Sequence, residues 1–476
     1  MRTRDQIFDQ NYIDGVFVPV TGEEVVDIVD PATEGAVGQA RLANRDDARR
    51  AVDAAMRAQP AFGHTSVAER VAILERLQAA MLSQAEAILE ATVTEYGGPI
   101  ARAQWVANYA GQCFGDAARA LSSYAFERRV GGSIVVMEPV GVSALFAPWN
   151  STAGTMASKL ASAIAAGCAT VIKPSELSPW QAHVVARAIH DAGLPPGVVN
   201  IVTGRGVDVG AEIGTHPGVA KLSFTGSTPT GKLIARGAVD TMKRVSLALT
   251  GKSASLLLDD ADLAAAIPLA VGAAFMNSGQ ACVAGTRLLV PRERMADAVE
   301  RIRAAVAALR VGDPRDPATT IGPMVNHAQF ERVQYFIRRG LEQGATLVAG
   351  GEGRPDGLDR GWFVRPTVFA DVRNDMDIAR DEIFGPVLSV LPVDSEVEAI
   401  AVANDSPYGL QAYVFSADAD RARRVAARLQ AGTVLINRVA PDLLAPFGGV
   451  KQSGVGREFG VAGMEAFLEA KTITTA

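Results

Sequence analysis

Cysteine is scarce in this chain: Cys113, Cys168 and Cys282 are the only three among 476 residues. That excludes a disulfide framework and makes a reducing compartment, the cytoplasm, the expectation. Histidine is nearly as rare. The five present fall at no ligand spacing, and neither CxxC nor HExxH occurs, so no metal site is expected. Long apolar runs are missing as well. The longest, Leu263 to Met276, contains Pro268 and falls far short of the ~20 residues that a membrane helix needs. The opening MRTRDQIFDQ has no apolar core, which argues against a signal peptide. Nor is there an excess of positive charge: the formal net charge is −6, so no electrostatic footprint for nucleic acid is expected.

The composition that remains, 48% apolar and 21% charged, is that of a globular protein. The length suits two to four domains with large cores. Between residues 140 and 227, strand and helix patterns alternate. VGVSALFAPW (140–149), ATVIKPS (169–175), GVVNIVTG (197–204) and VAKLSFTGS (219–227) read as strands. ASKLASAIAAGC (157–168) and WQAHVVARAIHDAG (180–193) read as helices, each ending near a glycine. Such alternation predicts βαβ units and a parallel sheet, with ligands at the carboxyl ends of the strands. A second α/β region follows, with strands in SASLLLDDAD, GTRLLVPRE, VLSVLPV and AYVFSA. FERRVGGSIVVMEPVG (126–141) looks like a protruding hairpin, and the tail ends in a strand-like run that could pair with another element.

Several stretches carry chemistry. In FMNSGQACVAGTR (275–287), small neighbours leave the Cys282 thiol accessible and let backbone N–H groups approach a reacting oxygen. Cys113 and Cys168 lie in apolar helical surroundings and read as inert. FTGSTPTG (224–231) is a glycine-bearing turn from strand to helix, suited to a phosphate. KPSE (173–176) sets a cation and a carboxylate three residues apart, and the carboxylate suits ribose hydroxyls. EIFGPV (382–387) and PFGGVKQSGVGRE (446–458) are glycine-rich turns with embedded aromatics.

Taken together, APWN, KPSE, FTGS, LALTGKS, FMNSGQACVAGTR, EIFGPV and PFGGVKQSGVGRE resemble the aldehyde dehydrogenase superfamily, in order and over nearly the whole chain. Asn150 precedes Lys173 by 23 residues, and position 248 precedes Cys282 by 34. The resemblance implies a Rossmann-like dinucleotide-binding domain (1–125 and 142–249) and an α/β catalytic domain (250–435). It also implies an oligomerisation arm with a C-terminal strand (126–141 and 460–476), hence a homodimer or homotetramer. By the same resemblance Cys282 attacks the aldehyde, Asn150 holds the oxyanion, a thiohemiacetal gives hydride to the nicotinamide, and a thioester is left for water. For the cofactor the family pattern assigns Trp149, Lys173, Glu176, Gly206, Gly226, Ser227, Leu249, Glu382 and Phe384. A carboxylate at Glu176 favours NAD over NADP.

One position departs from the pattern. The family carries a general-base glutamate 34 residues before the cysteine; here Ala248 stands there, and Thr250 replaces a glycine. A methyl group cannot deprotonate water, so thioester hydrolysis is the step in doubt. Four readings stay open. The alanine is an engineered substitution that traps the acyl group; or the acyl group passes to a thiol such as coenzyme A; or Glu458, at a relay position, takes over; or the chain is an inactive cofactor-binding or structural homologue. Small residues at Ser151 and Ser158, with Leu443, Leu444 and Phe447 opposite, point to a wide tunnel for a bulky apolar or aromatic aldehyde.

Overall fold

A computed structural model describes residues 7–475. Residues 1–6, most of the stretch that bears on a signal peptide, lie outside the described residues, as does residue 476. The alternation read between 140 and 227 folds as an α/β layer. Five parallel strands form its centre, in the order Arg244–Ala248, Lys221–Thr225, Ser143–Phe146, Thr170–Lys173, Val199–Ile201. An N-terminal hairpin, Gln10–Ile13 and Val16–Pro19, extends one edge, and the short strand Gly454–Val455 closes the other antiparallel to Arg244–Ala248. The central strands are buried on both faces, which explains their continuous apolar runs. One face is covered by the alanine-rich helix Thr152–Ala166, every residue of which is buried except Thr155.

The second region forms a seven-stranded sheet, in the order Thr346–Ala349, Thr367–Ala370, Val387–Val393, Arg287–Pro291, Ala254–Leu257, Gln411–Phe415, Thr433–Ile436. All neighbours are parallel except the first pair. The fold is thus mixed α/β with two largely parallel sheets, as the pattern implied.

The predicted hairpin is present as Glu127–Val130 and Ser133–Pro139, and the tail strand Leu468–Thr474 pairs with the latter along its whole length. The segment expected as C-terminal strand (460–476) is only partly strand. It opens with a helical turn, Gly460–Glu465, whose Met464 is buried in the core shared with the Thr152–Ala166 helix. Burial of that methionine and close packing of Gly463 on Glu458 and Ser162 account for the turn. Among the described residues no helix is long and apolar enough to cross a membrane, and no cluster of side chains could hold a metal ion.

Candidate active site

Three motifs far apart in sequence meet at Cys282. The helix Leu263–Phe275 breaks into a short turn in which Asn277, Ser278 and Gly279 all have left-handed backbones (φ +53°, +58° and +73°). Two consecutive non-glycine residues there are uncommon and store strain, of order 1–3 kcal/mol each. The turn brings Gly279 against Gly385 of EIFGPV, where an added Cβ would lie 2.2 Å from the Gly385 carbonyl. On its other side Gly251 of LALTGKS backs onto Cys282, and a Cβ there would sit 2.1 Å from the Cys282 carbonyl oxygen. These glycines are needed for close approach, not for flexibility.

The strained turn is held by polar contacts. Gln280, 1% exposed, donates to the Pro323 carbonyl (3.2 Å) and accepts from the Val325 N–H (3.0 Å). The Asn150 amide donates to the Gln280 carbonyl at 2.9 Å, and Asn277 donates to the carbonyls of Asn150 (3.3 Å) and Gln280 (3.0 Å). The carboxamide of Asn150 is therefore fixed beside the cysteine loop, where it can meet a developing oxyanion. Burial, followed by the charges of Glu382 and Glu458, pushes the Cys282 thiol up to about 12, while the N–H groups of Cys282 and Val283 oppose the shift. The resting group is the thiol.

The two carboxylates near it differ. Glu382 accepts from the Gly251 N–H (3.1 Å), and burial raises it to about 7 despite that bond and one from the Thr250 hydroxyl. Glu458 is locked in an ion pair with the buried Lys159 at 2.5 Å, and Lys159 also donates to the Ser223 hydroxyl at 2.9 Å. Ala248 ends its strand 4% exposed. It pairs with Thr225 and Gly454 and shares a strand face with Ser246. Ser246 lines a small cavity with Lys159 and Glu458, so position 248 faces the layer that holds that ion pair.

The candidate cofactor residues sit at the carboxyl ends of the central strands. Lys173 donates to Glu176 (3.3 Å) and to the Pro174 carbonyl (2.9 Å). Glu176 also lies 3.8 Å from Arg205, a neighbour the sequence did not single out. Ser227 caps the helix Thr228–Val239 by accepting from the Thr230 N–H, while Gly226 lies against Phe224 with no room for a Cβ. Leu249 packs on Gly231 of the same helix, and Gly206 faces open space. Trp149 stands between the rings of Tyr96 (5.8 Å) and Phe384 (5.4 Å), and Phe384 has a left-handed backbone (φ +61°).

Of the expected tunnel residues, Ser158 and Leu443 line a cleft of ≈ 390 Å³, together with Tyr109, Asp116 and Phe459. Phe447 stacks behind Phe459 (5.4 Å), Ser151 lies beside Gly154, and Leu444 is 52% exposed. The small residues do not simply leave the cleft wide. A Cβ on Gly154 would lie 2.7 Å from the Tyr109 ring, so the glycine makes room for an aromatic from the helix Ile100–Ser122.

Residues 17–473 match the aldehyde dehydrogenase family. The chain belongs to that family. It is 45% identical to a 3-succinoylsemialdehyde-pyridine dehydrogenase of a Pseudomonas species over 464 residues, 97% of each chain. Among solved structures it resembles a cysteine-to-alanine variant of aldehyde dehydrogenase C from Pseudomonas syringae, complexed with NAD+ and octanal (TM-score 0.96, 43% identity, 98% and 96% of the two chains). It also resembles a Mycobacterium tuberculosis aldehyde dehydrogenase complexed with NAD+ (TM-score 0.95, 38% identity, 99% of each). This aldehyde dehydrogenase is accordingly an oxidoreductase acting on aldehydes. Lys159, Gln280, Tyr96 and Tyr109 are site neighbours that sequence reasoning missed. Lys159 stands in a helix of mostly small and apolar residues, and its partner is 299 residues away.

Proposed function

We propose that this aldehyde dehydrogenase oxidises its substrate with NAD through a thioester on Cys282, and that release of the acyl group is its slow step. The observation that carries the reading is Ala248, buried at the end of its strand beside an otherwise complete site. The carboxylate at the relay position, Glu458, is committed to Lys159.

The residues at the strand ends fit a dinucleotide. Glu176 and Lys173 suit the hydroxyls of the adenosine ribose, and Gly226 with the Ser227-capped helix start suits a pyrophosphate. Glu382 suits the second ribose, and Trp149, Leu249 and Phe384 form apolar walls near the nicotinamide. Gly206 leaves space on the adenine side. When bound, NAD+ supplies a hydride acceptor and a positive charge near the thiol.

In the first half-reaction the Cys282 sulfur loses its proton and bonds to the carbonyl carbon. The Asn150 amide and the Cys282 N–H stabilise the resulting oxyanion, an effect worth ~2.7–4 kcal/mol per donor. As the carbonyl re-forms, hydride leaves the carbon with its electron pair for the cofactor and a thioester remains. In the second half-reaction water must attack that thioester and lose a proton. Ala248 cannot accept it, and Glu458 could do so only by giving up its ion pair with Lys159.

The sheet of 127–139 and 468–474 ends in the exposed edge strand Glu127–Val130. A second copy of the chain covering this edge accounts for it, in a homodimer or homotetramer that light scattering would detect. The eight-stranded sheet serves the cofactor in this reading, and the seven-stranded sheet carries the cysteine.

The test is rapid mixing with NAD and an aldehyde. NADH should appear in a burst of about one equivalent per site, followed by very slow turnover, and intact-mass spectrometry should show the acyl adduct. Fast steady turnover without a burst would overturn the proposal.

A further inference from the structure

One cation beside the cleft has no partner. Arg102 lies in the first turn of the helix Ile100–Ser122, and its guanidinium covers the Trp105 ring at 4.3 Å. Trp105 stacks on Tyr109 (4.8 Å, 19°), and Tyr109 meets Phe459 edge-on (6.3 Å). Tyr109 and Phe459 line the cleft with Ser158 and Leu443, so the guanidinium tops an aromatic stack that forms one cleft wall. Its Nε is buried without a hydrogen bond. Among the described residues the Arg102 side chain makes no hydrogen bond or ion pair. It lies within electrostatic reach of Tyr96, Tyr109 and Cys282.

Two other charges near the cleft are answered by ion pairs. Asp116 pairs with Arg119, and Glu458 pairs with Lys159. By contrast, the buried Arg287 spends its donors on Asn374 and the carbonyls of Lys252, Val402 and Ala403. A partly buried cation left unpaired is costly. Packing over an indole holds the guanidinium in place with no protein acceptor for its N–H groups, and a planar guanidinium can meet a carboxylate with two parallel hydrogen bonds.

We propose that Arg102 is a specificity-determining residue and that the substrates of this enzyme carry a carboxylate at the end remote from the aldehyde. Tyr109 and Phe459 then enclose an apolar or aromatic body, while Arg102 holds the distal anion and Cys282 meets the aldehyde. This rests on the proposed aldehyde oxidation at Cys282 and adds the substrate class.

The experiment compares 4-carboxybenzaldehyde with its methyl ester, which has the same ring and no charge. The readout is the second-order rate constant of the NADH burst with saturating NAD, so that slow acyl release does not interfere. The acid should react tens to about a hundred-fold faster than the ester, the range set by a charge-assisted hydrogen bond. Arg102→Met should erase the preference by raising the concentration of acid needed for half-maximal burst rate, with the ester changed only a few-fold. Arg102→Lys should keep part of the preference, which a merely structural role would not produce. An ester as good as the acid in the parent enzyme, or a preference that survives Arg102→Met, would overturn the assignment of Arg102. No NADH from either aldehyde would instead overturn the underlying oxidation.

Discussion

Replacing Ala248 with glutamate tests the missing base directly. The side chain starts from a buried strand end and enters the layer that holds Lys159 and Glu458. A positioned general base accelerates its step by ~10²–10⁴-fold, or about 2.7–5.4 kcal/mol at 1.36 kcal/mol per decade. The structure favours the upper part of that range. The one resident carboxylate on this side, Glu458, sits 2.5 Å from the Lys159 ammonium and supplies little basicity for the new residue to duplicate. The substitution should also lower stability, since a second carboxylate enters a buried site whose ammoniums are already engaged, Lys159 with Glu458 and Lys221 with the Ser246 hydroxyl. Burial of an incompletely paired polar group costs ~1–3 kcal/mol.

Stopped-flow NADH fluorescence separates the half-reactions. In Ala248→Glu the slow phase should accelerate until burst and steady rate merge, while the amplitude-normalised first phase changes little. Ala248→Gln supplies the same shape without basicity and should leave turnover slow. Equal recovery in both variants would refute the reasoning, because filling space rather than taking a proton would then explain it. Recovery of the parent protein by added coenzyme A would show that a thiol is the natural acyl acceptor and that no base is missing.

Other substitutions probe the remaining parts of the site. Cys282→Ser should abolish NADH formation while NAD binding, measured by calorimetry, persists. The parent should bind NAD more tightly than NADP, and Glu176→Gln should narrow that gap by removing the charge that repels a 2′-phosphate, while Arg205, 3.8 Å from Glu176, stays paired with Glu24 at 2.7 Å. Glu458→Gln should move the pH profile of the burst rate to lower pH, by up to about one unit. The sign follows from the thiol: Glu458 helps raise it towards about 12, so removing that negative charge lowers it and yields thiolate at lower pH. An unmoved or alkaline-shifted profile would exclude electrostatic coupling between Glu458 and the thiol.

The alternation of strands and helices was legible because short buried strands such as 143–146, 170–173 and 221–225 alternate with segments of helical spacing that end near a glycine. The arm was legible for the opposite reason: 126–141 is too polar and too turn-rich to belong to either sheet, and it found the tail strand as its partner. What stayed hidden depends on long-range packing. Nothing local in ASKLASAIAAGC marks Lys159 as the partner of Glu458. The small residues Ser151 and Ser158 suggested a wide tunnel, and the aromatic that lines the cleft beside Ser158, Tyr109, comes from another helix. Leu444 was expected in the tunnel wall from its apolarity, yet it points outward, as single apolar residues on loops often do.

The two departures from the family pattern act on different halves of the reaction. In the proposed reaction Ala248 withdraws a base that thioester hydrolysis needs more than acylation and hydride transfer do. Thr250, two residues on, adds a group: its hydroxyl bonds to Glu382 and accepts from the Thr228 N–H (3.2 Å) at the start of the helix Thr228–Val239. It thereby ties the carboxylate suited to the nicotinamide ribose to the helix suited to the pyrophosphate. Burial drives Glu382 up to about 7, and the Thr250 bond works against that shift, so the threonine helps keep Glu382 an acceptor near neutral pH. On the proposed reading the same short segment, LALTGK, supports the cofactor carboxylate while withdrawing a base for acyl release. On that reading, a protein altered in this way should retain acylation and then stall.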